Sequence, residues 1–337
     1  MTPSIYKDIQ REYDLKRQKA INAADLKKAQ LFETFPKFKE LENKKSKVAI
    51  ELAKALVTKK GIEKQIAKDN LEIKLHEIEK SMDTLMESEG LGKDYLVPQF
   101  ECKKCEDTGF VRLKDKEIRC NCFTQKIVNM TYKQNNMLKL KDENFNTFDI
   151  AYFSNKPDKE KYKSDKSPLE NIEEIKKLAI TFVNHIDDSK QKSLLFVGNA
   201  GTGKTFMSSC IAAEAVKKGY TVLYQTAPIL MDMMLDAKFA GLRDELKKEQ
   251  YQRVFDIDLL IIDDLGTENL NNMKFTELFN IINTRLLKDK KTIISTNLSL
   301  QELAYEYDDR VMSRLIGNYT VCRFFGEDIR LKKKKIN

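Results

Sequence analysis

From Ser4 to Glu89 the chain sets apolar residues at helical spacing among dense charges of both signs, and the only proline and glycine there are Pro36 and Gly61. Leu71, Leu75, Ile78, Met82 and Leu85 form a heptad-like seam with steps of four and three. An earlier seam, Val48, Leu52, Ala55, Ile62 and Ile66, is out of register with it. Two helices, or one helix kinked near Gly61, would produce that shift. Gly90-Leu91-Gly92 closes the helical region. Such a region serves either as an arm that docks on a partner protein or as an internal helical hairpin, and the two are compatible. A helix-like stretch at Ile127–Leu140 comes next, then a polar stretch rich in Lys, Asp, Ser and Pro, Ser154–Pro168. That composition reads as linker or exposed loop. Beyond it the pattern changes. Helical stretches alternate with short apolar runs at Ser193–Val197, Thr221–Gln225, Leu259–Ile262, Thr292–Thr296 and Tyr319–Phe324. Strands alternating with helices predict an α/β fold with a mainly parallel sheet and helices on both faces. The expected organisation is a helical region over 1–95, a cysteine module with its following helix over 96–141, a linker over 142–168 and the α/β domain over 169–337.

The first apolar strand runs into Gly198-Asn199-Ala200-Gly201-Thr202-Gly203-Lys204-Thr205, and Phe206 opens a helix-like stretch. Strand, glycine-rich loop and helix is the context a phosphate-binding loop requires. The glycines let backbone N–H groups turn inward around a phosphate, and the helix adds its positive N-terminal end. Lys204 can reach the β- and γ-phosphates, and the Thr205 hydroxyl can hold Mg²⁺. A nucleoside triphosphate is the expected ligand.

Such a site needs an acidic residue at the end of a neighbouring strand. Leu259-Leu260-Ile261-Ile262-Asp263-Asp264 supplies it from a strand that reads as buried on both faces. Asp263 would orient a Mg²⁺-bound water and Asp264 would polarise the attacking water. Asn297, just after the next strand, could sense whether the γ-phosphate is present. Arg310 and Arg314 are four apart and share a helical face. They could reach the nucleotide of a neighbouring subunit, while Arg330 could contact the γ-phosphate within the same subunit.

Cys102-Lys103-Lys104-Cys105 and Cys120-Asn121-Cys122 bracket a turn-like Asp107-Thr108-Gly109-Phe110. Four thiolates suit tetrahedral Zn²⁺, although the second pair is C-x-C rather than C-x-x-C. A redox dithiol is the alternative, and two pairs in so short a segment favour structural zinc.

Composition adds context. With 41% hydrophobic and 33% charged residues, the chain has a real core and a heavily charged surface. No apolar run reaches membrane-spanning length, and Met1 to Asp8 lacks the apolar core of a signal segment, so the expected location is the cytoplasm with reduced cysteines and no membrane contact. The net charge of +8 suits a nucleic-acid partner, but a lysine-rich solvated surface would produce the same number.

Taken in order, the phosphate loop, Asp263-Asp264, Thr296-Asn297, the Arg310/Arg314 pair and Arg330 resemble the AAA+ ATPase pattern. More narrowly, Leu260 to Gly266 and Arg310 to Asn318 are similar to the DnaC/DnaI-type replicative helicase loaders and the related IstB-type transposition helpers. The resemblance covers roughly Phe145 to Arg330. A cysteine module after a helical region resembles the loader branch, in which a zinc-bearing N-terminal domain contacts the helicase. What the resemblance implies is an ATPase that uses ATP and Mg²⁺, carries Zn²⁺, self-associates through the AAA+ domain and helps load a hexameric replicative helicase on single-stranded DNA. It assigns Gly198 to Thr205 to the nucleotide cradle, with Phe206 after them as a further nucleotide-binding residue, Asn297 and Arg330 to the two sensors, and Arg314, assisted by Arg310, to the arginine finger. Lys238, Phe239 and Arg243 lie where single-stranded DNA contacts would occur, an aromatic to stack on a base and cations to hold phosphates. The sequence departs from the pattern at Asp264, where many AAA+ enzymes have Glu, and the shorter side chain suits a switch more than a motor. A transposition-helper ATPase, and a nucleotide-dependent adaptor with little turnover, remain the alternatives. A DNA-remodelling motor fits less well, given Asp264 and no separate DNA-binding domain.

Overall fold

The computed structural model describes residues 3–92, 94–113, 116–131, 142–239, 244–268 and 272–331. The chain divides into two compact units, one of residues 10–118 and one of residues 1–9 with 119–337.

The smaller unit holds most of α1 (Pro3–Thr34), then α2 (Pro36–Thr58) and α3 (Gly61–Ser88). The helical region is therefore broken at two points. Pro36 disfavours helical geometry at the residue before it, and Phe35 takes φ −127°, ψ 85°. The second break is at Lys59-Lys60, before Gly61 at φ +59°. Helices α2 and α3 pack on each other. Met82 is buried, and Leu71, Leu75, Ile78 and Leu85 are half-buried on the same seam. The expected continuation of the earlier seam fails: Ile62 is 81% exposed and Ile66 55%. The break starts a new helix in a new phase, so a pattern written across it has no common face. Phe38 and Leu31 close a small core with Met82 and Met86.

Strands β1 (Phe110–Leu113) and β2 (Lys116–Arg119) form a two-stranded sheet within the cysteine module. The next helix, α4 (Asn121–Thr131), starts earlier than the hydrophobic pattern implied; residues 132–140 of the expected helix lie outside the described residues.

The larger unit is built on β3 (Ser193–Val197), β4 (Val222–Thr226), β5 (Leu259–Leu265), β6 (Lys291–Thr296) and β7 (Tyr319–Arg323). These strands lie in the order β4-β5-β6-β3-β7, all parallel. Its helices are α5 (Lys159–Tyr162), α6 (Pro168–Asn184), α7 (Lys204–Lys217), α8 (Ala227–Phe239), α9 (Glu245–Asp256), α10 (Asn272–Leu287), α11 (Leu300–Glu306) and α12 (Asp309–Asn318). Side-chain alternation divides the core between the two sheet faces: Leu260 and Ile262 of β5 belong to one cluster, Leu259 and Ile261 to the other. This is a strand buried on both faces, as its unbroken apolar run predicts.

Two devices complete the sheet. Strand β4 is an edge, and the Gln125 side chain of α4 accepts from Val222 N at 2.6 Å and donates to Val222 O at 3.0 Å, pairing the exposed backbone as another strand would. Arg285 of α10 is wholly buried and donates to Val254 O, Ile257 O, Lys291 O and the Thr292 hydroxyl, at 2.7, 3.1, 2.6 and 3.0 Å. Burial pulls its pKa down to about 10, so it stays charged at neutral pH.

The segment read as linker is partly core. Phe148 and Phe153 are buried in the cluster that also holds Ile172, Phe196 and Met207. Surrounding lysines, serines and prolines dilute the apolar signal of isolated aromatics, which periodicity needs several turns to register.

Arg285→Met should destabilise the larger unit by about 3 kcal/mol or more, because buried carbonyls would lose their donor. Calorimetric melting of the variant checks this, and an unchanged melting temperature would count against the clamp.

Candidate nucleotide and metal sites

Strand β3 lies inside the sheet, between β6 and β7, so its carboxyl end opens where the chain leaves toward helices on different sides. Val197 is in register with Thr296 of β6, and Thr226 of β4 with Asp263 of β5. The phosphate-type loop, the two aspartates and Asn297 therefore converge at one sheet edge.

The loop has room only for backbone at its key turns. A Cβ on Gly198, at φ +144°, would stand 2.0 Å from Phe324 O. A Cβ on Gly201, at φ +75°, would stand 2.0 Å from the Asp328 carboxylate. Gly203 precedes α7, whose first residue is Lys204. Thr202 ties the loop by donating to Asn199 O at 2.8 Å.

Lys204 is 4% exposed and donates from Nζ to Gly198 O, Asn199 O and Asn297 Oδ1, the last two at 2.8 Å. Burial is the main reason its pKa falls, to about 8. Asp263 is 2% exposed. Its Oδ2 accepts from Tyr224 of β4 at 2.9 Å, and its Oδ1 accepts from Ser295 of β6 and faces the Thr205 hydroxyl at 3.5 Å. Thr205 and Asp263 are thus adjacent oxygen donors of the kind a hard divalent cation takes. Asp264 sits at φ +56°, a left-handed conformation, with its N–H donated to Ser295 Oγ at 3.1 Å. Burial, then the neighbouring Asp263, raises its pKa, and a hydrogen bond from Asn297 opposes the rise.

These groups border a cavity of about 510 Å³. Ala200, Gly201, Gly203, Lys204 and Thr205 line one side with Asp264 and Asn297, and Phe148, Tyr152, Phe153 and Phe206 supply an aromatic wall. Phe206 meets Phe148 edge-on at 5.4 Å between centroids. Arg330 reaches the cavity and bonds the Asp328 carboxylate through Nε at 3.3 Å. A polyanion fits the basic, N–H-rich end, and a planar base fits the aromatic end. Arg310 and Arg314 do not line this cavity.

The four cysteines Cys102, Cys105, Cys120 and Cys122 come together, with all Sγ atoms within 4.8 Å of one another. A tetrahedral four-thiolate zinc site, with Zn–S near 2.3 Å, needs sulfurs roughly 3.8 Å apart, so the donor set fits with a small contraction. Asp107 organises the first pair's loop. It sits at φ +55° and accepts from Glu101 N and Cys102 N, both at 2.8 Å. Cys210 and Cys322 are buried in the larger unit's core, as expected.

The proposed DNA-contact group divides. Lys238 is held at 2.7 Å by Glu277, a fully buried carboxylate that Tyr251 also contacts at 2.6 Å. Its ammonium is engaged by that carboxylate, while its side chain stays 45% exposed. Phe239 is 66% exposed, and Arg243 lies outside the described residues.

Tyr224, Ser295 and, in the aromatic wall, Phe148, Tyr152 and Phe153 were not read from sequence; Phe206 was. Polar residues within apolar strands, Tyr224 and Ser295, were the available signal.

With this geometry in place, the comparisons decide the family. The family described as IstB-like ATP binding protein matches residues 120–336. The chain belongs to the IstB-like ATP-binding family. This member shares 28% identity over 165 residues with an insertion sequence IS5376 putative ATP-binding protein from Geobacillus stearothermophilus, covering 47% of this chain and 61% of that one. It is 28% identical over 133 residues to the replicative helicase loader DnaC of Escherichia coli K12, covering 39% of this chain and 53% of that one. It is 26% identical over 157 residues to the replicative helicase loader DnaI of Bacillus subtilis 168, covering 43% and 49%. It thus spans about half of each of these relatives. The AAA+-type sheet and ATP binding follow from family and site together. No helix among the described residues of this IstB-like chain is long and apolar enough to cross a membrane.

Two outcomes test the sites. Without a ligand Lys204 deprotonates above about pH 8, whereas a bound phosphate keeps it charged. Nucleotide binding at about pH 9 should therefore take up a proton, and affinity should fall as pH rises past the lysine's pKa. Titration calorimetry in buffers of different ionisation heat reads the uptake, and no buffer dependence would contradict it. Separately, Cys102→Ser should lower bound zinc from about one equivalent per chain toward none, read by elemental analysis.

Proposed function

We propose that this protein is an ATP-dependent helicase loader in DNA replication. Its helical and cysteine-bearing regions, residues 1–95 and 96–141, grip a hexameric replicative helicase. A connecting segment over 142–168 leads to an AAA+ ATPase domain over 169–337, which helps place the ring on single-stranded DNA. The observation that carries the reading is the joint presence in one chain of a Lys204/Asp263/Asp264/Asn297 site and a four-thiol module beside a long helical region. The similarity to DnaC and DnaI supports it.

In this reading Thr205 and Asp263 hold the Mg²⁺ that accompanies ATP, a cation that neutralises charge on the phosphates. Lys204 and the loop N–H groups bind and orient the β- and γ-phosphates. Asp264 accepts a hydrogen bond from the attacking water, Asn297 reports on the γ-phosphate, and Arg330 steadies it from the same subunit. Arg314, with Arg310, completes the site of a neighbouring copy, so ATP orders the subunit interface and hydrolysis releases it. Phe239 is the remaining exposed candidate for base stacking. Residence in the cytoplasm goes with this role.

The second reading is a transposition helper, favoured by the comparable identity to the IS5376 protein. One experiment separates the two. The full chain and its Lys204→Ala variant are used as bait in lysate of the source cell, with and without a zinc chelator. Recovery of a hexameric helicase, lost on chelation, is the expected result, with Lys204→Ala still binding helicase but no longer binding ATP. Recovery of a transposase instead would overturn the loader reading.

A further inference from the structure

Arg310 and Arg314 lie one turn apart on α12, and both stack on one ring of α10. The guanidinium carbons stand 5.2 and 5.0 Å from the centroid of Phe279. Phe279 is itself partly buried against the core of the larger unit, so the ring is a fixed platform. One turn along α10, Asn283 Oδ1 accepts from Arg314 Nε at 3.2 Å. Two residues four apart on α10 thus meet two residues four apart on α12, and the two helices pack on each other.

Stacking engages a guanidinium's face and leaves its edges as donors. The two arginines differ in what their edges do. Arg310 turns Nε and Nη2 onto Asp308 Oδ2, both at 2.8 Å, and Asp308 also caps α12 by accepting from Val311 N at 2.9 Å. Arg314 gives only Nε to Asn283, and its planar fork is oriented from below by Phe279 and from the side by Asn283. An arginine on a flexible stem loses rotamer freedom when it docks a phosphate, and a side chain already stacked has lost much of it beforehand.

We propose that Phe279 is a positioning residue: it holds Arg314 in the orientation that meets the nucleotide bound by a second copy of this chain, with Asn283 setting the rotation of the guanidinium plane. Arg310 and Asp308 brace the second half of the ring and the start of α12. The inference rests on the ATPase reading above, in which Arg314 acts on a neighbour's site.

The test uses the full chain. Phe279→Leu keeps an apolar group of similar size but removes the π face. It should lower turnover roughly tenfold to a hundredfold, the scale of a misplaced catalytic group. Its own nucleotide affinity should stay within about twofold, since the ring does not border its own cavity. Phe279→Trp restores an aromatic face and should keep turnover within about threefold of the unmodified protein. Mixing subunits is decisive. Asp264→Asn subunits lack the water-polarising carboxylate but carry an intact Phe279 and Arg314, so adding them to Phe279→Leu subunits should recover activity that neither shows alone. Failure of that mixture to recover would put the defect in the Leu variant's own site and overturn the proposal. Normal turnover by Phe279→Leu, with Arg314→Ala inactive, would overturn the platform while leaving the finger assignment intact. Normal turnover by Arg314→Ala, or none by the unmodified chain, would overturn the underlying reading and the platform with it.

Discussion

A carboxylate buried at the end of a doubly covered strand is the constraint around which the larger unit is arranged. Strand β5 is apolar on both faces, yet near its carboxyl end it carries Asp263 at 2% exposure. A charge taken that far from water is tolerated only with donors on its oxygens. The donors come from both neighbouring strands, Tyr224 of β4 and Ser295 of β6, and the Thr205 hydroxyl of the phosphate-type loop faces the same carboxylate. Each lies where it does because the parallel register puts those strand ends side by side. The requirement to satisfy one buried anion thus links sheet order, loop and chemistry.

The same logic explains which charges are structural. Arg285 and Glu277 are both fully buried, and both are surrounded by partners that belong to the fold: carbonyls around the first, Lys238 and Tyr251 around the second. Neither borders the cavity. Lys204 differs. Its ammonium is held by two loop carbonyls and one amide but lines the cavity, where an entering anion can reach it. A buried cation at a cavity wall is open to an anion; a buried cation wrapped in its own fold's carbonyls away from that cavity, as Arg285 is, is a staple.

What the sequence made legible was local and short-range. The phosphate-type loop, Asp263-Asp264, Asn297 and the two cysteine pairs are contiguous motifs, and each stands where strand–loop–helix order implied. The five-strand pattern was readable because β3 and β5 carry the unbroken apolar runs Leu194–Val197 and Leu259–Ile262, and shorter apolar stretches mark the other strands. Legibility failed where position depends on distant partners. Phe148 and Phe153 look like isolated aromatics in a polar stretch, and only the fold shows them against Phe196 and Met207. Lys238 reads as a surface cation until Glu277, thirty-nine residues away in sequence, appears beneath it. Ile62 and Ile66 continue a seam on paper, but the chain starts a new helix between Ala55 and them.

Asn297 ties the two halves of the nucleotide site together. An ammonium has three N–H donors, and Lys204 spends them on Gly198 O, Asn199 O and Asn297 Oδ1. The same asparagine lines the cavity together with Asp264. A phosphate that draws Lys204 toward itself must weaken at least one of the three contacts, and Asn297 is the one held by a side chain rather than by the loop itself. Its release would alter the surroundings of Asp264, a residue already in a left-handed conformation that costs about 1 kcal/mol or more for a non-glycine side chain. Lys204, Asn297 and Asp264 thus line one cavity, where a bound anion would act on all three.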